Sequence, residues 1–565
     1  MKIDATAMTN QATSHKWLRI SFWCAAIALG AADAWATRFT MNPDGISYLD
    51  MGDAYLRGDY HMAVNAYWSP LYSWFLGFFL KVLKPSAYWE FAVAHMLNFL
   101  IYLAALASFE FLISTFVAYE RQRDEEAADT SNVTLPSWAW RALGYSIFIW
   151  SSLVLIGMRV VAPDMCVAAL VYLAAGLVLK VQGGAASRST FVLLGIVLGF
   201  AYLAKAVMFP LAFVFLAVTL FSNGKVRKVA PQVLLSALIF LAVASPFVIA
   251  LSKEKGRLTF GDSGKWNYVW FVDGADYWFP TGSTLKHPKT KIFDSPATYE
   301  SGAPVAGTYP YWYDPSYWQE GLEPHFDLRG EIRVVTYALI LYCWLLFSPF
   351  LQLMVSAALC MLYLLEKIPS RCFIRAARNW PLIAIGSSAL VLYALVYVEY
   401  RHVAPFVTLL WLMAFSGVQL PASLTSRRLM AGASLAIATL IGASLIWSPT
   451  HRELVHREPP VYAEAAKAMI DKGVKPGAKL AVAADEPFGA GGAYVARLAR
   501  MRVIAIVVQS EKFWTAPVTT RTQVTKALVN AGANVLLTRG QPTASEVVWE
   551  RLGRTDYYIS VLSKE

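Results

Sequence analysis

Charged residues are scarce in this chain of 565 residues. Lys, Arg, Asp and Glu make up 15% of it, whereas soluble domains carry about 25%. Hydrophobic residues account for 57%, and the mean hydropathy is +0.45. This shortage of charge excludes an ordinary soluble protein and predicts a polytopic α-helical membrane protein.

Cysteine is also rare. The five cysteines are Cys24, Cys166, Cys343, Cys360 and Cys372. Four lie in apolar segments and one in a basic loop, so they predict neither a disulfide framework nor a metal site. A nucleotide-binding loop is not predicted either. Gly489-Ala490-Gly491-Gly492 lacks the G-x-G-x-x-G spacing and the ribose-binding acid, and a structural turn is favoured there.

The formal net charge of +11 comes from short basic loops. Lys and Arg concentrate on the cytoplasmic side of membrane proteins, so these loops identify that side and no nucleic-acid partner is predicted. The residues that define it are Lys2, Lys16 and Arg19; Arg121 and Arg123; Lys180 and Arg188; Lys225, Arg227 and Lys228; Lys367, Arg371, Arg375 and Arg378; and Arg427 and Arg428.

About eleven membrane crossings fit between these basic loops, because each crossing needs ~20 mostly apolar residues. Clear examples are residues 164–181, 191–203, 231–251 and 429–447. An odd number of crossings predicts a multi-pass protein of the inner (plasma) membrane, with a cytoplasmic N-terminus and an extracytoplasmic, periplasmic C-terminus. Ala34-Trp35-Ala36 matches a signal-peptidase site, but a retained first helix is the preferred interpretation.

The predicted organisation has three parts. A cytoplasmic tail covers residues 1–19, a transmembrane module covers 20–449, and a small extracytoplasmic α/β domain covers 450–565. The module carries two outer loops, residues 38–90 and 252–332. In the last part, helical segments alternate with strands, which is typical of a partly parallel sheet. The predicted strands are residues 479–483, 503–508, 535–537 and 557–562.

Four carboxylates follow the first hydrophobic segment: Asp44, Asp50, Asp53 and Asp59. Acidic residues near a bilayer are costly and often mark function. Asp44 follows Pro43 at the predicted start of a helix, so it is either a reactive carboxylate or a helix cap. Asp50 and Asp53 fall on the polar face of this helix, where we expect them to be solvated.

Three more groups of charged residues fall at the outer face. Asp164 opens a crossing, as a second reactive carboxylate or an N-cap, with Arg159 nearby as its partner or as an anion ligand. Lys205 lies between two apolar runs, where it either reaches the membrane surface or binds phosphate. Arg401 has the planar fork suited to phosphate, or it pairs with Glu399 and is structural.

Residues 266–318 are dense in aromatic side chains. Such rings stack on sugars in some proteins, but an interfacial belt or the core of an outer loop is the more common role and is preferred here. They include Trp266, Tyr268, Trp270, Tyr277, Trp278, Trp312, Tyr313, Tyr317 and Trp318.

Taken in order, these motifs resemble the GT-C superfamily of membrane glycosyltransferases, in the branch of protein O-mannosyltransferases and lipid A aminoarabinose transferases. The resemblance covers most of residues 20–420. The matching motifs are Pro43-Asp44 with Tyr48; Ser69-Pro70-Leu71-Tyr72-Ser73-Trp74; Arg159 with Pro163-Asp164; Leu203-Ala204-Lys205; and Tyr400-Arg401 ahead of Pro405. This branch often has Asp-Glu where the chain has Asp44-Gly45, and Pro-Pro-Leu where it has Ser69-Pro70-Leu71.

The resemblance implies transfer of a sugar from a polyprenyl-phosphate donor to an acceptor hydroxyl on a glycan, lipid or protein at the outer face. It implies that Asp44 is the general base and that Asp164 orients the acceptor or sugar, or assists as a second acid. Lys205, Arg401 and Arg159 would hold the donor phosphate. The expected substrate contacts are Tyr48, Tyr72 and Tyr400.

No cofactor is required by this interpretation. A divalent metal occurs in the superfamily, but the sequence shows no ligand set for one. Two other functions compete with it: a transporter or flippase of lipid-linked sugars, and a non-catalytic scaffold. A transporter would not readily account for one large outer loop with an outer α/β domain, and the chain has no internal repeat of the kind that many transporters have.

Overall fold

The computed structural model describes residues 5–127, 132–280, 284–300, 302, 304–347, 350–366, 368–446, 459–484, 491–542 and 548–562. Helices dominate the first 446 residues. They are α1 (Ala5–Ala36), α2 (Pro43–Arg57), α3 (Tyr60–Ala63), α4 (Pro70–Leu83), α5 (Glu90–Ala127), α6 (Ser137–Trp150), α7 (Asp164–Gln182), α8 (Arg188–Ala204), α9 (Met208–Ser222) and α10 (Val226–Lys255). A π-helical turn, Ser151–Ile156, continues α6.

The remaining helices of this part include several short ones between α10 and the next long helix. They are α11 (Ser263–Phe271), α12 (Pro310–Tyr313), α13 (Pro315–Trp318), α14 (Leu328–Phe347), α15 (Phe350–Leu364), α16 (Ser370–Ala377), α17 (Trp380–Ala394), α18 (Tyr400–Ser416) and α19 (Leu424–Ile446). Two short strands, β1 (Asn132–Thr134) and β4 (Gln419–Pro421), pair antiparallel.

Six described helices are long and apolar enough to cross a membrane. They are Lys16–Ala36, Glu90–Glu126, Ser137–Ile156, Asp164–Gln182, Val226–Lys255 and Leu328–Phe347. Five shorter apolar helices accompany them: Pro70–Leu83, Arg188–Ala204, Met208–Ser222, Gln352–Leu364 and Trp380–Ala394. Of the four clearest predicted runs, the first three fall within α7, α8 and α10; the fourth falls in α19 up to residue 446, and residue 447 lies outside the described residues. The chain is therefore a helical membrane protein, and the count of eleven crossings stays a prediction.

Glycines allow α2 to cross α4 at very short range. A Cβ on Gly52 of α2 would lie 2.9 Å from the backbone nitrogen of Gly77 and 2.9 Å from the carbonyl oxygen of Ser73, both in α4. A Cβ on Gly77 would in turn lie 2.8 Å from the carbonyl oxygen of Gly52. No side chain fits between these backbones, so the pair of glycines sets the position of α2.

The C-terminal part contains the predicted alternation of helices and strands. Its helices are α20 (Val461–Asp471), α21 (Gly492–Leu498), α22 (Ser510–Thr515) and α23 (Val518–Asn530). Its strands are β5 (Lys479–Ala483), β6 (Arg502–Val507), β7 (Val535–Arg539), β8 (Glu550–Arg551) and β9 (Tyr557–Val561). Of the glycine-rich turn, Gly489 and Ala490 lie outside the described residues, and Gly491 has the left-handed φ of +64° before α21.

Two strands from outside the C-terminal part complete its sheet. They are β2 (Thr290–Phe293) and β3 (Thr298–Glu300), from the segment between α11 and α12. The strand order is β2-β3-β6-β5-β7-β9-β8. Strand β5 is parallel to β6 and β7, as the sequence predicts, and β3 pairs antiparallel with β6, with Thr298 opposite Val507. The sheet is thus shared between the loop and the tail.

Candidate active site

A cavity of about 920 Å³ lies where α2, α7, α8 and α18 meet. One wall carries the charged residues Asp44, Asp164, Lys205 and Arg401. The opposite walls are formed by aromatic rings and by the segment that follows α10. Four positions that are as far apart as 44 and 401 in the sequence therefore meet in one site, as the ordered motifs predict.

Asp44 lies in the first turn of α2, directly after Pro43. Proline is favoured at this first helical position because its missing N–H needs no partner there. Asp44 Oδ1 accepts a hydrogen bond from Trp312 Nε1 at 3.2 Å, and Oδ2 accepts one from Arg401 Nη2 at 3.4 Å. Its partners in the described structure are thus side chains across the cavity. A cap of the helix N-terminus does not describe this geometry.

Burial raises the pKa of Asp44 above its ordinary value, and this effect exceeds the opposing ones of the Arg401 charge and the Trp312 hydrogen bond. At neighbouring Glu399 the balance is reversed. Burial raises its pKa as well, but Arg401 and the other partners outweigh burial, and the net pKa is lowered. Burial therefore favours the neutral form of Asp44 more than in a free aspartate, whereas its partners keep Glu399 ionised.

Asp164 is the first residue of α7 and is almost fully buried. Lys205 Nζ donates to its Oδ1 at 2.6 Å, and Arg401 Nη1 lies 3.5 Å from its Oδ2. Lys205 follows α8 as its C-cap residue, and its side chain is 24% exposed. Of its two predicted roles, reaching the membrane surface does not fit, because the ammonium group turns inward to the carboxylate.

Arg401 connects the three carboxylates of the site. Its guanidinium contacts Asp44 at 3.4 Å, Asp164 at 3.5 Å and Glu399 at 2.6 Å. Glu399 also accepts a hydrogen bond from Tyr397. The pairing of Arg401 with Glu399 is therefore real, but it coexists with contacts to both cavity carboxylates. The cluster contains three carboxylates and two cations, so its charges are nearly compensated.

Aromatic rings form much of the remaining wall. Trp312 packs against Trp68, with ring centroids 5.9 Å apart, and against Trp278, 4.8 Å apart. Trp270, Tyr277, Trp278 and Trp312 all line the cavity. The preference for a core is confirmed for Trp270 and Trp312, which line the cavity and are also 5% and 9% exposed members of the hydrophobic core. It is confirmed as well for Trp266 and Trp318, which are 2% and 4% exposed within the core.

Tyr48 also lines the cavity, one helical turn after Asp44. Burial, followed by the nearby charges of Asp44 and Asp164, raises its pKa well above the ordinary value, so the phenol stays neutral. Its ring packs on Trp68 and on Tyr72, with centroids 5.2 and 5.3 Å away.

Three residues of the predicted site do not line this cavity. Tyr72 lies behind Tyr48, fully buried, and its hydroxyl donates to Asn98 Oδ1 at 2.5 Å. Tyr400 is 38% exposed and packs against Trp344. Arg159 is exposed, and its carbonyl oxygen accepts from Thr40 Oγ1 at 3.3 Å. The charge of Arg159 is thus not part of the cavity wall.

The loop before Asp164 is held by buried polar groups. Asp33 Oδ2 accepts from the Met158 backbone at 3.1 Å, and Asn42 Oδ1 accepts from the Val161 backbone at 2.8 Å. His95 Nδ1 lies 2.8 Å from the Met158 carbonyl oxygen. These contacts tie the loop to α1, to the start of α2 and to α5. Asp44 and Asp164 are therefore positioned by one shared set of contacts.

The cavity contains polar residues that the sequence argument missed. Arg257 pairs with Asp262 at 2.6 Å, and Lys265 pairs with Glu323 at 2.9 Å. Asn267 is uncharged, and its Oδ1 accepts a hydrogen bond from the Tyr67 hydroxyl at 3.1 Å. One signal was available, because basic residues just after a predicted crossing on the outer side run against the positive-inside rule. In the described residues, no three His, Cys, Asp or Glu side chains form a metal-ligand group.

Comparisons with known proteins identify the fold. No protein-family model matches the sequence, and no curated protein matches it. The apo crystal structure of ArnT from Cupriavidus metallidurans is similar to this chain at 12% identity and a TM-score of 0.50, covering 98% of both chains. The structure of ArnT bound to undecaprenyl phosphate has a TM-score of 0.52 at 12% identity, covering 96% of this chain and 98% of ArnT. The predicted GT-C-like fold is confirmed.

Proposed function

We propose that this GT-C-fold membrane protein is a glycosyltransferase. It transfers a sugar from a polyprenyl-phosphate donor to an acceptor hydroxyl at the outer face of the inner membrane. One observation carries the proposal: the Arg401 guanidinium connects Asp44 and Asp164 in a cavity that is also lined by aromatic rings. The similar fold of ArnT, solved with undecaprenyl phosphate, supports the donor class.

Asp44 is the general base in this proposal. The acceptor oxygen attacks the anomeric carbon and forms the new C–O bond, while the bond from that carbon to the donor phosphate oxygen breaks. The acceptor proton moves to Asp44, and the polyprenyl phosphate leaves with the bonding electrons. A raised pKa suits this role, because a base is most effective when its pKa lies near the working pH.

Lys205 and Arg401 hold the donor phosphate and stabilise the charge that develops as it leaves. Both cations are already positioned by Asp164, at 2.6 and 3.5 Å. A phosphate entering the site shares these cations with Asp164, so Asp164 orients them and the sugar. Asp164 is the poorer candidate for accepting the proton, because it contacts two cations, Lys205 at 2.6 Å and Arg401 at 3.5 Å, whereas Asp44 contacts only Arg401 among the described cations.

The aromatic wall accommodates the sugar ring. Aromatic side chains with a few polar groups are typical of pockets that bind and orient small ligands. Tyr67, Trp270, Trp278 and Trp312 supply the rings, and Asn267 supplies a polar group beside them. Tyr72 and Tyr400 support the site from outside the cavity, and Arg159 is proposed only as an anion ligand at its outer edge.

The proposed arrangement in the membrane follows the basic loops. Residues 1–19 face the cytoplasm, the module of residues 20–449 spans the inner membrane, and residues 450–565 lie on the periplasmic side. The loop 252–332 lies on that side as well, because its strands share a sheet with the tail. The acceptor is a glycan, lipid or protein that reaches this face.

The test compares envelopes from cells that lack the gene and carry one of three versions: wild type, Asp44→Asn, or Asp59→Asn. Asp59 is exposed and caps the short helix α3, and asparagine also caps helices, so Asp59→Asn is a matched control. Mass spectrometry of glycans, lipids and proteins should find a sugar that wild type and the control restore.

Asp44→Asn should not restore this sugar, although its protein level in the membrane equals that of wild type. Full restoration by Asp44→Asn contradicts the assignment of the base. If no envelope component changes by a sugar, the transferase proposal is wrong. If purified protein moves lipid-linked sugar across liposomes without forming a glycosidic bond, the function is that of a flippase.

A further inference from the structure

A second pocket of about 380 Å³ lies between α2, α4, the start of α5 and α21. It shares no lining residue with the candidate active site. Its walls carry four cations and two carboxylates, an excess of positive charge. The lining residues are Asp53, Leu56, Leu80, Lys81, Lys84, Pro85, Glu90, Arg497 and Arg500.

The four cations of this pocket differ in whether they form ion pairs with carboxylates of the chain. Arg497 and Arg500 pair with Glu90, and Arg497 also pairs with Asp50 and Asp53. The side chains of Lys81 and Lys84 are exposed, and neither side chain forms an ion pair or hydrogen bond among the described residues. Arg497 is 4% exposed, and its Nη2 is without a hydrogen-bond partner among the described residues. The pocket thus offers donors for an anion that the chain itself does not supply.

Lys84 occupies an unusual backbone position. It caps the C-terminus of α4 with φ +45° and ψ 54°, in the left-handed region. Glycine is the common residue there, because a Cβ is disfavoured in this region. A lysine in this place gives up backbone stability and gains a charge at the rim of the pocket.

The surroundings of the pocket are those of a membrane surface. Helix α4 exposes Phe78, Val82 and Leu83 at 58%, 60% and 47%, and Tyr88 and Trp89 are 41% and 44% exposed directly before α5. A candidate membrane span begins at Glu90, the first residue of α5. Aromatic residues concentrate at the membrane–water interface. The two lysines therefore lie at the level of lipid headgroups, next to apolar side chains that face acyl chains.

We propose that this pocket binds the headgroup phosphate of an anionic phospholipid, with Lys81 and Lys84 as the principal ligands. This site is additional to the proposed transferase function and rests only on the membrane placement of α4 and α5. Basic residues near a bilayer each contribute ~1 kcal/mol to the attraction for anionic lipid, which is about fivefold in affinity at 1.4 kcal/mol per tenfold.

The experiment uses the purified full-length chain in detergent with an equal mixture of phosphatidylglycerol and phosphatidylcholine. Native mass spectrometry measures which lipid stays bound. Wild type should retain phosphatidylglycerol in preference, and Lys81→Gln and Lys84→Gly should each weaken its binding about fivefold. Lys526→Gln is the matched control, because Lys526 is an exposed lysine on α23 that has no ion pair in the described structure.

Lys84→Gly separates charge from folding, because glycine fits the left-handed position. Its thermal unfolding temperature should equal or exceed that of wild type while lipid binding falls. Unchanged phosphatidylglycerol binding in Lys81→Gln and Lys84→Gly overturns the proposal. It is also overturned if inorganic phosphate, in detergent without phospholipid, binds with the same lysine dependence while phosphatidylglycerol has no advantage over phosphatidylcholine. Loss of transferase activity in Asp44→Asn leaves this readout unaffected.

Discussion

At the scale of single residues, Arg401 explains why the charged wall is organised as it is. Asp44, Asp164, Lys205 and Arg401 were each predicted from a short motif, and the structure brings all four together. The sequence motifs could not show which partner each one has. Arg401 has three carboxylate partners, and only Glu399 is near it in sequence.

The contact of Trp312 with Asp44 could not be predicted from the sequence. Trp312 lies in the aromatic-rich segment of residues 266–318, for which a belt or the core of an outer loop was the preferred role. Its Nε1 donates to Asp44 Oδ1 at 3.2 Å, a contact across 268 positions of sequence. No local pattern identifies such a partner, because the contact depends on how the loop after α11 folds back over α2.

We predict that Trp312→Phe moves the pH dependence of transfer. The ionised form of Asp44 is stabilised by the Trp312 hydrogen bond, and removing that bond raises the pKa of Asp44 further. A general base works only when deprotonated. As the pH is lowered, kcat/KM of Trp312→Phe should therefore begin to fall at a higher pH than that of wild type. This acid limb should move up by roughly one pH unit for ~1.4 kcal/mol of lost interaction. The measurement is a kcat/KM–pH profile on the acceptor found by envelope comparison.

Trp270→Phe is the control for this profile. Trp270 also lines the cavity, but its Nε1 has no hydrogen-bond partner among the described residues. The control should change KM through lost contact area and leave the acid limb in place. Equal shifts in both variants, or a shift of Trp312→Phe to lower pH, would contradict Asp44 as the titrating base.

At the scale of secondary-structure elements, α2 is the helix that positions the site. The expectation that Asp50 is solvated was wrong, since its side chain is buried and accepts hydrogen bonds from the Thr308 backbone at 2.6 Å and from Arg497 Nη1 at 2.7 Å. Arg497 belongs to α21, more than 400 positions away. A helical pattern separates polar from apolar faces, but it does not reveal that another part of the chain covers the polar one.

We predict that Arg497→Leu strongly destabilises the protein. Arg497 is 4% exposed and contacts Asp50, Asp53 and Glu90 at 2.6–2.7 Å. Removing a buried cation leaves its carboxylate partners uncompensated, which costs about 3 to 5 kcal/mol. Thermal unfolding of the purified chain should occur at a clearly lower temperature, and what activity remains should be reduced through displacement of α2.

Arg539→Gln is the comparison for this variant. Arg539 pairs with Asp556, and both side chains are about half exposed. Exposed pairs contribute about 0 to 1 kcal/mol, so this variant should unfold close to wild type. Similar losses in both variants would mean that Arg497 has no special role in connecting α21 to α2.

The crossing of α2 and α4 gives a second prediction at this scale. In Gly52→Ala the new methyl group would lie 2.9 Å from backbone atoms of Gly77 and Ser73, which cannot move aside as a side chain can. Overpacking of this kind costs about 1 to 3 kcal/mol. Helix α2 should shift away from α4, so both thermal stability and transfer rate should fall.

Gly432→Ala is the matched control. Gly432 is exposed within α19, and a Cβ there has no atom within 4 Å in the described structure. Alanine favours a helix over glycine by up to about 1 kcal/mol, so this variant should be at least as stable as wild type. A stable and active Gly52→Ala would show that α2 is not held by its close contact with α4.

At the scale of the whole molecule, the sheet shows what could be predicted and what could not. Four of the five described tail strands were predicted within one or two residues, because short apolar runs alternate with helical segments, and the two-residue strand β8 was not predicted. Strands β2 and β3 were missed. They have four and three residues, without an apolar alternation, and they form because β6 offers a free edge. A boundary at residue 450 therefore divides the sequence but not the sheet.

This shared sheet makes the membrane topology a sharp prediction. Because β3 pairs with β6, the loop between α11 and α12 and the tail must lie on the same side of the membrane. If the basic loops are cytoplasmic, both lie outside.

In a variant whose five native cysteines are replaced, Lys526→Cys on α23 and Lys291→Cys on β2 should react with a membrane-impermeant maleimide in spheroplasts. Arg188→Cys, at the start of α8, should react only after the membrane is permeabilised. If residues 526 and 291 both react only after the membrane is permeabilised, the proposed orientation is reversed, but the shared sheet is still consistent with the result. Reaction at these two residues from different sides would contradict the sheet itself, since no strand pair can span the bilayer in this way.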